Sequence, residues 1–420
     1  MNNTTHLLML LLLLLLVGCG NDDTAVSFMV FGEPAEFAAY EQLVAAFTER
    51  HPDIPIELQH IPSQGEYRQR LAAGFSAGMP PDVMLLNYRR FAAFAAQGGL
   101  EPIEPFMAQS DVLRANNFFP TAVSAFQFNG QLWCVPQNIS SLVVYYNRDL
   151  FDAAGLKVPA NDWTWDDFVQ AGQALTIDVD GDGRIDQYGA GISPNIFRLA
   201  PFIWQNGGQL VDNPANPTRL TLDSPASIAA LQWFVDLQIK EGIVPDAVAE
   251  AAEPAETRFL NGRLGMYFNS RRGTPTYRTI QNFAWDVVPL PRSQQMVGIL
   301  HSDAYCMAAA AKNKKAAWTF IEFANSAEGQ TIIAATGRTV PSLMSVAESP
   351  AFLDPALPPD NARIFIDTVP QLGRVPIMSG WPGIELTTSQ EIERAFYGRA
   401  SVAEAADTAV EQTQPFFADQ

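Results

Sequence analysis

Short apolar strands alternate with amphipathic helical stretches from residue 26 almost to the end of this chain, and no other feature narrows its possible folds so far. Residues 26–31 form an apolar strand that Gly32-Glu33-Pro34 turns into a helix with Phe37, Tyr40, Leu43, Val44 and Phe47 on one face. Pro34 suits a first helical turn, and Pro52 blocks extension. Ile54, Ile56 and Leu58 alternate as a second strand, and Tyr67, Leu71 and Phe75 recur every fourth residue as a core-facing helical stripe that Gly78 and Pro80-Pro81 end. Val83 to Leu86 is a third strand, followed by a helix with Phe91 and Phe94. The pattern returns later. Leu142 to Tyr146 reads as a strand, Thr164 and Asp167 make a capping box, and Ser224-Pro225 opens a helix that Gly242 closes. Further helices are expected over 312–325, 385–397 and 401–413. Such alternation predicts an α/β fold of mostly parallel sheets flanked by helices.

The 420 residues exceed one ordinary core and suit two lobes. Apolar residues make up 48% and charged residues 17%, so two substantial cores can be buried. A formal charge of -19 opposes binding to phosphate backbones, which rules against nucleic acid as a partner. Cys134 and Cys306 sit in apolar runs and read as two buried free thiols rather than a disulfide framework. His51, His60 and His301 are scattered without metal-ligand spacing. The chain carries no G-x-S-x-G, H-E-x-x-H, Walker A or dinucleotide glycine motif, so an enzyme reading would rest on paired carboxylates, as in a glycosidase.

The apolar run from Leu7 to Val17 leads into Leu16-Val17-Gly18-Cys19. Eleven residues fall short of the roughly 20 that span a bilayer, which fits a signal-peptide core. The junction resembles the lipobox of bacterial lipoprotein precursors. It implies a signal peptide over 1–18, diacylation of Cys19 and a tether over 19–25, although residues 2–6 lack Lys and Arg. The expected location is the cell envelope, with the membrane reached only through the lipid.

Asp178-Val179-Asp180-Gly181-Asp182-Gly183-Arg184-Ile185-Asp186 sets oxygens at alternate positions, as in an EF-hand loop. Asp178, Asp180, Asp182, the carbonyl of Arg184 and Asp186 are the candidate ligands of a structural calcium; Gly189 stands where the loop wants a bidentate Glu. Asx hydrogen bonds are the alternative way of holding the turn. No other cofactor is expected.

Seven phrases in series resemble the family 1 extracellular solute-binding proteins. They are Phe31-Gly32-Glu33 with Tyr40-Glu41, residues 77–83, residues 145–151 with Ala154-Gly155-Leu156, residues 163–168, Gln205-Asn206-Gly207-Gly208, residues 259–266 and residues 312–318. The resemblance implies a two-lobed clamp of the type II periplasmic binding-protein class, its chain crossing between lobes near 136–140, 298–302 and 340–346. The expected N-terminal lobe is 26–137 plus 302–342, and the C-terminal lobe 138–301 plus 343–420. It further implies a monomer that binds a sugar or polyol and hands it to the membrane subunits of an ABC importer without chemistry. A sensory role beside a membrane kinase stays open.

Ligands of such sheets sit beyond strand ends, where loops from both lobes meet. That criterion selects Glu33, Gln64, Asn87, Arg89 and Asn138 from the first half of the chain. It also selects Trp204, Asn269, Arg271 and Asp303, with Gln137, Asn206 and His301 beside them. The resemblance adds Trp381 as a stacking aromatic. Arg271 and Arg374 facing the cleft would favour an anionic polyol such as a glycerophosphodiester.

Overall fold

The computed structural model describes residues 25–418, so the expected signal peptide, Cys19 and most of the expected tether lie outside the described residues. Strand β1 (Val26–Phe31) leads into the helix Pro34–Arg50, whose Tyr40, Leu43 and Phe47 are fully buried. β2 (Ile56–Ile61) is followed by the helix Gln64–Ser76, capped where Ser63 accepts from the Glu66 N–H. β3 (Val83–Asn87) and β4 (Leu100–Glu101) continue the first sheet. The hairpin β5 (Gln127–Phe128) and β6 (Gln131–Leu132) turns through Asn129 and Gly130, both at positive φ as a two-residue turn requires. β7 (Cys134–Pro136) then brings the chain to the lobe boundary.

In the second lobe come β8 (Leu142–Asn147), β9 (Tyr188–Gly191), β10 (Leu264–Ser270) and β11 (Trp285–Val288). The short β12 (Gly298–Ile299) precedes the return to the first lobe as β13 (Asp303–Ala308), and β14 (Leu372–Gly373) lies beside β12. The helices Trp381–Phe396 and Val402–Thr413 pack on each other and on Pro225–Ile239, so the chain ends in the second lobe. The expected two-lobed α/β architecture is present.

Both sheets are mixed rather than mostly parallel. The first runs β2-β1-β3-β13-β4, with β7 also on β13; β1 is parallel to β2 and β3, whereas β13 is antiparallel to β3, β4 and β7. The second runs β11-β8-β10-β9, and its β10–β9 pair is parallel while β8 opposes both neighbours. The cause is the crossing itself. A strand that enters a lobe from the hinge starts at the cleft, opposite in direction to one that ends there; Asp303 therefore pairs with Asn87, and Leu142 with Ser270.

Around Phe28 the first core gathers the rings of Tyr40, Tyr305 and Phe320 at 4.8–5.8 Å. In the second lobe Trp165 stacks on Trp233 at 4.1 Å, and Trp163 donates to the Pro289 carbonyl, so both tryptophans pack around a helix start. Among the described residues no helix is long and apolar enough to cross a membrane.

Cys134 and Cys306 form a disulfide, which corrects the expectation of free thiols. They are 172 positions apart, and only the β7–β13 register sets them opposite each other. Substituting both by Ala is expected to cost about 2 to 5 kcal/mol of unfolding free energy, since so long a loop is no longer closed in the unfolded chain. A denaturant midpoint equal to that of the wild type would show that the bond does not carry the lobe.

Candidate ligand-binding site

A cavity of about 540 Å³ opens between the lobes. Its floor is the hinge, where the three expected crossing segments lie side by side. The Ile139 N–H donates to the Val340 carbonyl at 2.9 Å, Ser140 and His301 exchange two backbone bonds of 2.8 Å, and the Ser342 N–H donates to Gln137. The side chains that rise from this floor are fixed. Asn138 accepts from the Asp303 N–H at 3.1 Å, and Asp303 Oδ1 accepts from Asn87 at 3.0 Å. Asn87 in turn accepts from Arg89 Nε at 3.0 Å. Gln137 is buried beneath them, donating to the hydroxyls of Tyr40 and Tyr305, so it supports the site from below.

On the first-lobe wall Glu36 and Arg338 meet in an ion pair of 2.7 Å, both side chains 8% exposed. Burial pushes the Glu36 carboxyl up to about 7 despite the Arg338 charge that opposes the shift. Across the opening, Glu385 of the second lobe holds Arg89 at 2.6 Å and Arg90 at 2.8 Å. The Arg89 guanidinium lies 3.9 Å from the Phe197 ring centre, and the His301 ring stacks on Phe197 at 4.6 Å. Burial, then the charges of Arg198, Arg89 and Arg272, hold the His301 imidazole well below its usual range, hence neutral. On the second-lobe wall Arg198 reaches Asn269 at 3.5 Å; among the described residues neither Arg198 nor Arg272 has a carboxylate within ion-pair distance.

Of the residues selected from the sequence, Gln64, Asn87, Arg89, Asn138, Asn269 and Asp303 line this cavity, as does the neighbouring His301, whereas Gln137 and Asn206 do not. Five others lie outside it. Glu33 is the solvent-facing N-cap of its helix, and Glu36, in the first turn, takes the inward position. Arg271 is buried under Phe352 and Phe365 with Nε on the Gly337 carbonyl, its guanidinium pulled down to about 9 by burial; its neighbour Arg272 reaches the cavity instead. Trp204 packs against Gly373 and, with Arg374, edges a different groove, where Arg374 donates to the Ser124 carbonyl at 2.7 Å. Trp381 is 1% exposed and joins the core, while Glu385 and Ser389 farther along its helix face the cavity. Asn195, Phe197 and Arg198 escaped selection because β9 is too short and glycine-rich to show a strand period; they cap and open the helix Ile196–Gln205 that follows it, where the same strand-end criterion applies.

The acidic loop is not part of the cavity. Backbone N–H groups donate to Asp178, Asp180, Asp182 and Asp186 at 2.7–3.1 Å, the Asx arrangement. Asp178, Asp180 and Asp186 each keep an oxygen within 4.8 Å of the others, whereas Asp182 stays out of that group.

Planar amides, carboxylates and guanidinium groups facing one cavity, with Phe31, Phe197 and Tyr267 between them, suit a polyhydroxylated guest with apolar C–H faces. Comparisons with known proteins agree in fold. Residues 32–331 match the family described as bacterial extracellular solute-binding protein. A putative binding protein of Brucella abortus (strain 2308) is 23% identical over 380 residues, 87% of each chain. An arabinooligosaccharide-binding protein of Halalkalibacterium halodurans is 26% identical over 208 residues, 47% of this chain and 42% of the relative. An ABC substrate-binding protein from Listeria monocytogenes, solved in complex with cycloalternan, superposes with a TM-score of 0.86 at 23% identity, covering 94% and 99% of the two chains. The sugar-binding protein MalE from Xanthomonas citri gives 0.80 at 24% identity, covering 94% and 98%.

Wild type and Glu36→Gln should differ in how stability depends on pH. The folded carboxyl, at about 7 rather than 4.5, binds its proton more tightly than the unfolded chain does. Its contribution is therefore full below about pH 4.5 and lost as pH rises toward 7. Across that window wild type should lose up to about 3 kcal/mol relative to the variant in denaturant titrations. Parallel curves would count against a buried, proton-binding Glu36.

Proposed function

Because this chain belongs to the bacterial extracellular solute-binding proteins, we propose that it captures a saccharide or related polyol between its lobes and presents it to the membrane subunits of an ABC importer, leaving it chemically unchanged. The observation that carries the reading is the hinge-floored cavity, whose Asn87, Asn138 and Asp303 are already oriented by hydrogen bonds to one another. Fixed planar groups discriminate between hydroxyl patterns, because a buried polar group left unpaired costs about 1 to 3 kcal/mol. Relatives described as binding arabinooligosaccharides and maltotriose support the class of ligand.

A second reading, an anionic saccharide such as a uronate or a phosphodiester of a polyol, draws support from Arg198 and Arg272 rather than from Arg271 and Arg374. Their guanidinium groups suit a bidentate anion. A sensory partner in place of the importer has no separate support in the cavity.

For location we infer export and a lipid anchor at Cys19. A disulfide buried in the first lobe fits an oxidising compartment. Incorporation of a palmitate analogue should vanish on Cys19→Ala; label that persists would dismiss the anchor.

Neutral mono- and oligosaccharides, uronates and glycerophosphodiesters are to be screened by melting temperature. The true ligand at 100 times its dissociation constant adds about 2.7 kcal/mol to the native state. Stabilisation confined to the uronates or phosphodiesters selects the second reading. Absence of any shift across the panel counts against a saccharide.

A further inference from the structure

Beside the polar cavity lies a second one of about 250 Å³, sharing Phe31, Gln64, Asn87 and Arg89 with it. Its other walls change character: Tyr67, Leu71, Leu85, Leu86 and Phe94 are apolar, Pro382 of the second lobe flanks it, and Arg68 and Arg90 also line it. We propose that this compartment takes an apolar group at least as large as a phenyl ring, an aryl substituent carried by the saccharide that fills the polar cavity. The proposal rests on the saccharide reading and names the chemical class within it.

Several of the walls are held in place. Tyr67 is pinned by its hydroxyl to the Leu85 carbonyl at 2.7 Å and to the Met29 carbonyl at 3.3 Å. Phe94 is held against Phe75 with ring centres 4.6 Å apart. Arg89 and Arg90, the flexible side chains at the rim, are drawn across the opening to Glu385. The compartment's exposed lining is more apolar than polar, so an aryl group meets it at a lower desolvation cost than a bare sugar ring does. Pro382 and Glu385 stand on one helix, so the compartment is complete only while the lobes face each other with Glu385 engaged.

Paired methyl and phenyl glycosides of glucose, galactose, xylose and arabinose, titrated calorimetrically into the full mature chain, test this. The phenyl member of whichever pair binds is expected to be at least tenfold tighter, as burial of roughly 100 Å² of apolar surface implies. Ala93→Trp, at a lining position of the compartment alone, should erase that gain and leave the methyl glycoside within about twofold. Ala93→Leu is the milder plug should the tryptophan variant melt early. Benzyl alcohol alone, followed by saturation-transfer NMR, should bind wild type and not the plugged variant. Equal affinities within each pair, or a phenyl gain that survives the plug, overturn the compartment. Should no glycoside bind while benzyl alcohol does so and is displaced by the plug, the saccharide reading falls and the compartment stands; if neither binds, the compartment is overturned as well.

Discussion

The backbone bonds that join residues 137–140 to 301–303 and to 340–342 are the constraint on which the rest of the molecule depends. They are buried, and an unpaired backbone group there would cost as much as any lost hydrogen bond, so the three crossings move together or not at all. One consequence is a floor built from the crossings: Asn138, His301 and Asp303 rise from the crossing segments themselves. A second is the sense of the strands, since β8 and β13 must both start at the cleft. The disulfide acts at the same place. It ties the strand just before the first crossing to the strand just after the second, which keeps the first-lobe end of the hinge in register.

Glu385 sets how the walls face each other. It engages Arg89 and Arg90 together, with all three side chains between 15% and 21% exposed, so the pairs are neither solvated surface contacts nor fully dry ones. Exposed ion pairs are worth under about 1 kcal/mol, and buried ones offset much of their attraction by desolvation. Such a latch biases the lobes without locking them. Because two guanidinium groups share the carboxylate, a ligand hydroxyl can take Arg89 while Arg90 keeps Glu385 in place. Closure and binding are then compatible rather than competing.

How much of this was legible depended on distance along the chain. Strand ends are local, and choosing the polar residues after β3 and at the hinge found Asn87, Arg89, Asn138 and Asp303. Side-chain phase is not local in that sense. Glu33 was one helical turn too early, Arg271 one residue too early, and Trp381 belongs to the core under the helix whose later turns carry Glu385 and Ser389. Pairing across 172 positions left no trace in the sequence, because it follows from a register that exists only once the second lobe has been inserted between β7 and β13. The strand alternation made the α/β class plain, and the reversed direction of β8 and β13 stayed hidden for the same topological reason.

The charge of the whole chain and the charge of the cleft argue about different partners. A formal charge of -19 bears on extended polyanions, which meet the surface field over many contacts. A small anion inside the cleft meets something else. At physiological salt the screening length is about 8 Å, so carboxylates scattered over the outer surface act weakly on it. Arg198 and Arg272, lining the cavity without carboxylate partners among the described residues, act strongly. Glu36 and Glu385 already face guanidinium partners, and Asp303 and Glu256 accept hydrogen bonds from Asn87 and Tyr277. The acidic composition that rules against nucleic acid therefore leaves a uronate or phosphodiester admissible, and the choice between a neutral and an anionic guest rests with the second-lobe wall rather than with the net charge.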